Sequence, residues 1–226
     1  MRLVIFDLDQ TLVDVTSVHN EATQILFKKL FGVDARLTEI DFTGKSLIEN
    51  FLELARLKGI PENRLKEAIK ELIENYDRIF GEVLPHEASR YILPGVRKLL
   101  EELSKTDNLI VLYTGDSPGI VDRVFQSTDL GKYFKFSLYG TEVEARADMV
   151  RLAIENAQRL TGKKFKNKDI VIIGDSVRDI ECGQQFNALT IAVATGFHSA
   201  EKLSKAGPDY LFKDLRNYKK VLEAIG

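Results

Sequence analysis

The sequence LVIFDLDQTL at residues 3–12 decides the fold, because it joins a short apolar run directly to two acidic residues. The run Leu3 to Phe6 has no polar alternation, which is typical of a strand in a parallel sheet covered on both faces. In an extended chain, side chains two residues apart point to the same side, so Asp7 and Asp9 are expected to share one site. The alternative is that these two acids only form a turn.

Two carboxylates that lie this close repel each other unless a cation neutralises them or one of them keeps its proton. Magnesium is commonly held in proteins by one or two carboxylates, together with waters and a substrate phosphate. The pair Asp7 and Asp9 therefore predicts a Mg²⁺ site at the end of the first strand.

Similar apolar runs recur along the chain, and helical stretches separate them. This alternation predicts an α/β fold with a Rossmann-like parallel sheet. One helix is expected after Pro94 and Gly95 and reaches about Lys105, and another follows Ser117 as its N-cap. A third is expected from about Ala147 to Leu160, before Gly162. The further predicted strands are Leu109 to Tyr113, Phe134 to Leu138, Ile170 to Ile173, Thr190 to Val193 and, more weakly, Tyr210 to Phe212.

Residues 16–90 interrupt this alternation, because they show helical periodicity and no convincing strand. We expect an inserted all-helical cap domain at 16–90, and an α/β core formed by 1–15 and 91–226. Hinges are expected near Asp14 to Thr16 and near Ser89 to Pro94. The three predicted cap helices are one with Ala22, Ile25, Leu26 and Leu30 before Gly32, one with Leu47, Phe51, Leu54 and Ala55 before Gly59, and one from Pro61 through Leu65, Ile69, Leu72, Ile73 and Tyr76.

Polar side chains also follow the second and fourth predicted strands. Thr114 and Gly115 come directly after one of them, and Asp175 and Asp179 follow the other. Ligands of open α/β sheets bind at the carboxyl ends of the strands, so these segments are expected to converge with Asp7 on one crevice. Taken alone, Thr114 has strand termination as its alternative role, and Asp179 has capping of a helix dipole.

The motifs DLDQTL and GDSVRD, with a Thr at the end of the second core strand between them, resemble the haloacid dehalogenase superfamily in this order. The resemblance covers nearly the whole chain, and the helical insertion is similar to that of the phosphoglycolate phosphatase-like and β-phosphoglucomutase-like branch. It implies a Mg²⁺ cofactor, with Asp7 as nucleophile and Asp9 as general acid and base. It also implies Thr11, Thr114 and Gly115 as substrate-binding residues, and Asp7, Asp9, Asp175 and Asp179 as the metal set.

The sequence departs from that family at one position, because the expected Lys between the third and fourth strands is missing. Arg146 lies where the family places its cation, and a guanidinium can neutralise phosphate and contact the nucleophile. Arg151 is less well placed. The alternative for Arg146 is a solvent-exposed Arg at the start of a helix.

These features predict a Mg²⁺-dependent phosphatase that acts through an aspartyl phosphate on a small phosphorylated metabolite, such as phosphoglycolate, a sugar phosphate or a nucleotide. A phosphomutase of the β-phosphoglucomutase type is the alternative, and a non-catalytic phosphate-binding or phospho-receiver protein is a third reading. The same resemblance implies that dehalogenases of this superfamily have no acid at the position of Asp9, so Asp9 disfavours a dehalogenase. Substrate choice is expected to depend on the cap, where the polar candidates are His19, Asn20, Lys45, Arg56 and Arg64. The alternative for His19 is a hydrogen-bonded structural histidine, and for most of the others it is a place on the surface.

The composition supports small-molecule chemistry. The chain has 226 residues, 44% of them hydrophobic, with 32 Lys and Arg against 34 Asp and Glu. A net charge of −2 gives no indication of binding to a nucleic-acid polymer or a membrane surface. The single Cys182 cannot close an intrachain disulfide, and no run reaches the roughly 18 apolar residues of a membrane span. We expect a cytoplasmic protein, either a monomer or a homodimer.

Overall fold

Six short strands form one sheet in which every neighbouring pair is parallel. The computed structural model describes residues 1–226. The spatial order is β3-β2-β1-β4-β5-β6, so the first strand lies between β2 and β4. This arrangement confirms the predicted α/β fold. In chain order, the strands are β1 (Leu3–Phe6), β2 (Leu109–Thr114), β3 (Ser137–Tyr139), β4 (Ile170–Gly174), β5 (Leu189–Val193) and β6 (Tyr210–Phe212).

Ten α-helices accompany the strands, and the first five all lie between β1 and β2. No helix in the chain combines the length and the apolar character needed to cross a membrane. The helices are α1 (Thr16–Phe31), α2 (Leu47–Leu57), α3 (Glu62–Glu67), α4 (Ile69–Val83), α5 (Val96–Leu103), α6 (Pro118–Thr128), α7 (Arg146–Thr161), α8 (Val177–Gln185), α9 (Ala200–Lys205) and α10 (Tyr218–Ile225).

Strand β1 is buried on both faces, as its unbroken apolar sequence predicts. Val4 and Phe6 belong to the larger hydrophobic core, whereas Leu3 and Ile5 belong to a second core on the other face of the sheet. None of the four side chains is exposed. Full burial of such a side chain contributes about 1.5–3 kcal/mol, so these cores fix the strand that carries Asp7.

Two elements differ from the sequence-based expectation. Strand β3 begins at Ser137, because the partly buried Phe134 packs against the core before the strand, with its ring 5.3 Å from that of Phe125. The expected third cap helix is divided into α3 and α4 at Ala68. The Ala68 amide donates to the Leu65 carbonyl, 3.1 Å away, and this three-residue turn ends α3.

The chain leaves the sheet and returns to it through two segments that lie side by side. Val13 forms an antiparallel bridge with Ile92, and the Leu93 amide donates to the Leu12 carbonyl at 2.9 Å. Between them, α1, α2 and α4 form an aromatic cluster of Phe27, Phe51, Tyr76 and Phe80. We propose these paired segments as the boundary between the 16–90 cap and the core of 1–15 and 91–226.

Candidate active site

A cleft of about 590 Å³, counting its open mouth, lies where β1, β2 and β4 end. Thr11 and Asp179 do not line the cleft, although both were predicted site residues. The other predicted residues do line it: Asp7, Asp9, His19, Thr114, Gly115, Arg146 and Asp175.

Asp7 lies at the centre of this edge because β1 is the central strand. Its amide donates to the Ile173 carbonyl at 2.9 Å, which continues the pairing with β4 beyond Phe6. Thr11 lies between two carboxylates, with its hydroxyl 3.5 Å from Asp7 Oδ2 and 3.4 Å from Asp175 Oδ1. Thr11 is fully buried, and its predicted contact with substrate stays a prediction.

Arg146 reaches Asp7 from the first residue of α7. Its Nη2 donates to Asp7 Oδ1 and to Asp179 Oδ1, both at 2.6 Å. The guanidinium also lies over the ring of Tyr113, 4.2 Å from its centre. The Arg146 side chain is only 11% exposed, so the alternative of a solvent-exposed Arg at a helix start is wrong.

The Asp179 carboxylate is occupied by hydrogen bonds from the protein. Ser176 donates to its Oδ2 through the backbone amide at 2.9 Å and the hydroxyl at 2.6 Å, which forms the capping box of α8. Tyr113 donates to Oδ1 at 2.5 Å. Burial acts to raise the pKa of Asp179, but Arg146 and these hydrogen bonds hold it below its ordinary value. Asp179 therefore caps the helix and anchors Arg146 as an anion.

In contrast to Asp179, Asp7 and Asp175 have raised pKa values. Burial raises the pKa of Asp7 to about 7, although Arg146 acts against this shift. Burial and the charge of Asp7 raise the pKa of Asp175 well above its ordinary value. Asp175 Oδ2 is also buried without any hydrogen-bond partner. Because an unpaired buried carboxylate oxygen is costly, this pair has the character of a cation site.

Asp9 lies with a different group of side chains. Its Oδ2 is 3.1 Å from His19 Nε2, and His19 Nδ1 is 2.9 Å from the Tyr76 hydroxyl. The Asp116 carboxylate is 4.0 Å from the same Nε2. Burial opposes a charge on His19, but contacts with Tyr76, Asp9 and Asp116 raise its pKa well above its ordinary value.

The side chain of Asp9 has different neighbours from those of Asp7 and Asp175, but its Oδ1 is also buried without a hydrogen-bond partner, and its place in the metal set stays a prediction. The alternation of side chains applies to extended backbone, and β1 ends at Phe6. The chain then turns sharply, since Gln10 adopts a left-handed conformation with φ of 60°. As a result, the carboxylates of Asp9 and Asp7 line the same cleft but belong to different clusters.

The end of β2 contacts the segment before α2. The Leu47 amide donates to the Gly115 carbonyl at 2.9 Å. A Cβ at Gly115 would lie 2.2 Å from the Lys45 carbonyl oxygen, so only glycine permits this approach. Thr114 is buried at the same strand end, and its hydroxyl accepts from the Asp116 amide at 3.2 Å. The cap segment thus forms part of the cleft beside Thr114.

Three of the polar cap candidates lie away from the cleft. Asn20 accepts from the Thr38 amide and hydroxyl, and Arg56 pairs with Glu62 on the surface. Arg64 lies over a phenylalanine ring of α1. Of the five candidates, only His19 and Lys45 line the cleft.

The Arg146 contacts support a specific prediction. We expect Arg146→Met to lower kcat/KM about 10²-fold to 10³-fold, because it removes the cation beside Asp7. It should also lower Tm, since buried carboxylates lose their partner. Arg146→Lys should retain more activity because it keeps the charge. Kinetics and thermal unfolding measure both effects.

Arg151→Met is the matched control, because Arg151 lies on the same helix and pairs with Asp148 at the surface. We expect its kinetics and Tm to match those of the unaltered protein. Equal losses in the Arg146 and Arg151 variants would contradict a role for Arg146 at the site.

The parallel sheet and the acidic cleft at its carboxyl edge define the class of α/β enzymes. The family model of haloacid dehalogenase-like hydrolases matches residues 4–193, and the chain belongs to this family. The expectation of a hydrolase from this superfamily is therefore confirmed.

Known relatives cover almost the whole chain at low identity. The phosphoglycolate phosphatase of Escherichia coli (strain K12) is 23% identical over 242 residues, which cover all of this chain and 93% of that protein. The β-phosphoglucomutase structure from Clostridium difficile has a TM-score of 0.80 at 17% identity, with 100% and 97% of the two chains covered. A predicted phosphatase from Clostridium acetobutylicum has a TM-score of 0.74 at 21% identity, with 98% of each chain covered.

Several residues at the site were not predicted as site residues. Tyr113 supports Arg146 and Asp179, and Asp116 lies beside Asp9. Asn50 lines the cleft from α2. A polar residue among apolar helix positions was the available signal for Asn50, and proximity to a strand end was the signal for Asp116. Tyr113 lay within an apolar strand and gave no signal.

Proposed function

We propose that this chain is a Mg²⁺-dependent phosphatase that hydrolyses a small phosphorylated metabolite through an aspartyl phosphate on Asp7. The observation that carries the proposal is the position of Asp7, which is held by Arg146 at 2.6 Å and faces Asp175 across the Thr11 hydroxyl. The family membership and the phosphatases among the relatives support it.

The carboxylates at the end of β1 and β4 fit a divalent cation. Oxygens of Asp7, Asp175 and Asp179 lie within 4.8 Å of one another, and Asp175 Oδ2 has no protein partner. We propose Asp7 and Asp175 as the ligands, with Asp179 in support through Arg146. When bound, Mg²⁺ offsets the repulsion between the Asp7 carboxylate and the phosphate of the substrate.

In the first step, an Asp7 oxygen forms a bond to phosphorus and the bond to the ester oxygen breaks. Asp9 gives its proton to that departing oxygen, so the alcohol leaves neutral. Arg146 neutralises charge beside Asp7, and Thr114 and Gly115 offer a hydroxyl and a backbone amide to the phosphate. His19 positions Asp9 through the 3.1 Å contact.

In the second step, water attacks the phosphorus of the aspartyl phosphate and the bond to Asp7 breaks. Asp9, now ionised, takes a proton from the attacking water, so the same carboxyl serves first as acid and then as base. Inorganic phosphate leaves, and Asp7 and Asp9 return to their starting states.

A phosphate-release screen over phosphorylated metabolites with Mg²⁺ tests this function. Multiple turnovers with net phosphate release would support the phosphatase. A phosphomutase uses the same two aspartates, but it would return the phosphoryl group to the sugar and release no net phosphate. A non-catalytic phosphate-binding protein would show binding without turnover.

Mg²⁺ binding should depend on pH. In the folded protein the pKa of Asp7 is about 7, above the ordinary value of 3.8. Protonation of Asp7 therefore stabilises the metal-free fold fully below pH 3.8, and this stabilisation is lost as the pH rises through 7. Because metal ligands must be deprotonated, Mg²⁺ competes with this proton. We expect Mg²⁺ to raise Tm more at pH 8 than at pH 6, with apparent affinity about tenfold weaker at the lower pH. Equal shifts at both pH values would contradict Asp7 as a ligand.

A further inference from the structure

The cap provides the side of the cleft that lies beyond Asp9. If phosphorus lies against Asp7, the rest of the molecule has to occupy the space beyond Asp9. The cap residues that line this space come from α1, α2 and the segment between them, and the loop after β5 adds Phe197. The chemistry of these residues therefore indicates which alcohols fit.

This side of the cleft has no cation free to bind a second anionic group. Besides His19, the cations that line the cleft are Arg146 and Lys45. Arg146 is paired with carboxylates at the sheet edge. Lys45 Nζ lies 2.5 Å from Glu53 Oε2, and the Lys45 side chain is only 15% exposed. A second phosphate or carboxylate on the substrate would have to displace Glu53 from Lys45.

The neighbouring His19 has no ring nitrogen free to bind such an anion. Both ring nitrogens of His19 already contact protein groups, Asp9 and Tyr76. Asp116 adds another buried carboxyl to the cleft wall. A carboxyl group can hydrogen-bond a hydroxyl, whereas a carboxylate repels an anion.

Asn50 supplies a polar group that matches a hydroxyl. It lies on α2 and is only 6% exposed, yet its Oδ1 has no hydrogen-bond partner. Buried polar side chains are nearly always paired, so this amide indicates a ligand partner. An amide both donates and accepts, and so does a hydroxyl group.

Apolar side chains complete this part of the cleft. The rings of Phe42 and Phe197 meet edge to face with their centres 4.9 Å apart, and Leu37 and Leu47 line the same cleft. A monosaccharide or polyol has C–H groups that can pack on such a surface and hydroxyls that can reach Asn50 and Asp116.

We propose that the substrate is a monophosphate ester of an uncharged, polyhydroxylated alcohol, such as a monosaccharide or a polyol. The cleft discriminates against esters that carry a second carboxylate or phosphate. This inference rests on the proposed phosphatase function and specifies its substrate class. The proposed substrate class therefore differs from phosphoglycolate, the substrate in the name of the phosphoglycolate phosphatase relatives.

The first test compares kcat/KM with Mg²⁺ for hexose, pentose and glycerol monophosphates, 2-phosphoglycolate, a sugar bisphosphate and p-nitrophenyl phosphate. We expect kcat/KM for the best sugar or polyol monophosphate to exceed kcat/KM for 2-phosphoglycolate and for the bisphosphate by about tenfold or more. If either doubly anionic ester is the best substrate, the inference is overturned and the phosphatase function stands. If no ester releases phosphate, the proposed function fails and the inference fails with it.

Two substitutions in the cap sharpen the test. Asn50→Leu should lower the ratio of kcat/KM for the sugar ester to that for p-nitrophenyl phosphate by about tenfold, because it removes a partner only of the hydroxyls. Glu53→Gln frees Lys45 and should raise the ratio of kcat/KM for 2-phosphoglycolate to kcat/KM for the sugar ester by about tenfold. Asn63→Leu, at an exposed cap position, is the control and should change neither ratio. Unchanged ratios in both the Asn50 and the Glu53 variants would overturn the inference.

Discussion

We expect Asp7→Asn to reduce kcat for every phosphate ester by about 10⁴-fold or more, because an amide oxygen cannot form the covalent bond to phosphorus. The fold should persist. Asn has nearly the same shape, its side-chain oxygen can still accept from Arg146, and the variant removes a charge from a cluster of buried carboxylates. Phosphate release measures the loss, and thermal unfolding with and without Mg²⁺ checks the fold.

Asp34→Asn is the matched control, because Asp34 is an exposed carboxylate on the cap. It should keep the activity of the unaltered protein. A folded Asp7→Asn variant that retains substantial turnover would show that another group is the nucleophile, and the proposed mechanism would then be wrong.

The second large effect is expected for Asp9→Asn, and it should depend on the leaving group. For alkyl phosphates, kcat should decrease about 10²-fold to 10⁴-fold, because the departing alkoxide loses its acid. p-Nitrophenyl phosphate has a weakly basic leaving group that departs without this proton. The first step should therefore continue while the second step, which lacks its base, becomes slow.

The expected signature is a burst of nitrophenol equal to one equivalent of enzyme, with the phosphoryl group retained on Asp7. Rapid mixing measures the burst, and mass spectrometry of the quenched protein detects the modified aspartate. The double variant Asp7→Asn/Asp9→Asn is the control and should give no burst. Equal losses for both kinds of ester, without a burst, would argue against Asp9 as the acid and base.

The strands were predictable where burial on both faces left an unbroken apolar sequence. β1, β2 and β4 lie within a residue of their predicted positions. β3 was misplaced because apolar Phe134 packs against Phe125 before the strand begins. Apolar sequence reports burial, and it does not distinguish a core residue in a loop from one in a short strand. The break at Ala68 was missed for a similar reason, since the apolar stripe continues through it.

The candidate site was predictable only in part. The acids and the Thr at strand ends were recognisable because parallel strands bring their carboxyl ends to one edge. The side chains that support them were not, because the partners of a buried polar group depend on distant segments. Tyr113 was hidden in an apolar strand, and Asn50 was hidden on a helix of the cap.

The sequence by itself determined the parallel α/β core, the helical insertion and the placement of Asp7, Thr114 and Asp175 at strand ends, because periodicity and strand termination are local properties of the chain. Only the tertiary structure decided that Arg146 reaches across 139 residues to Asp7, that Thr11 is buried and that Asp9 turns towards His19. These contacts depend on how separate elements pack, and packing sets which buried charge meets which partner.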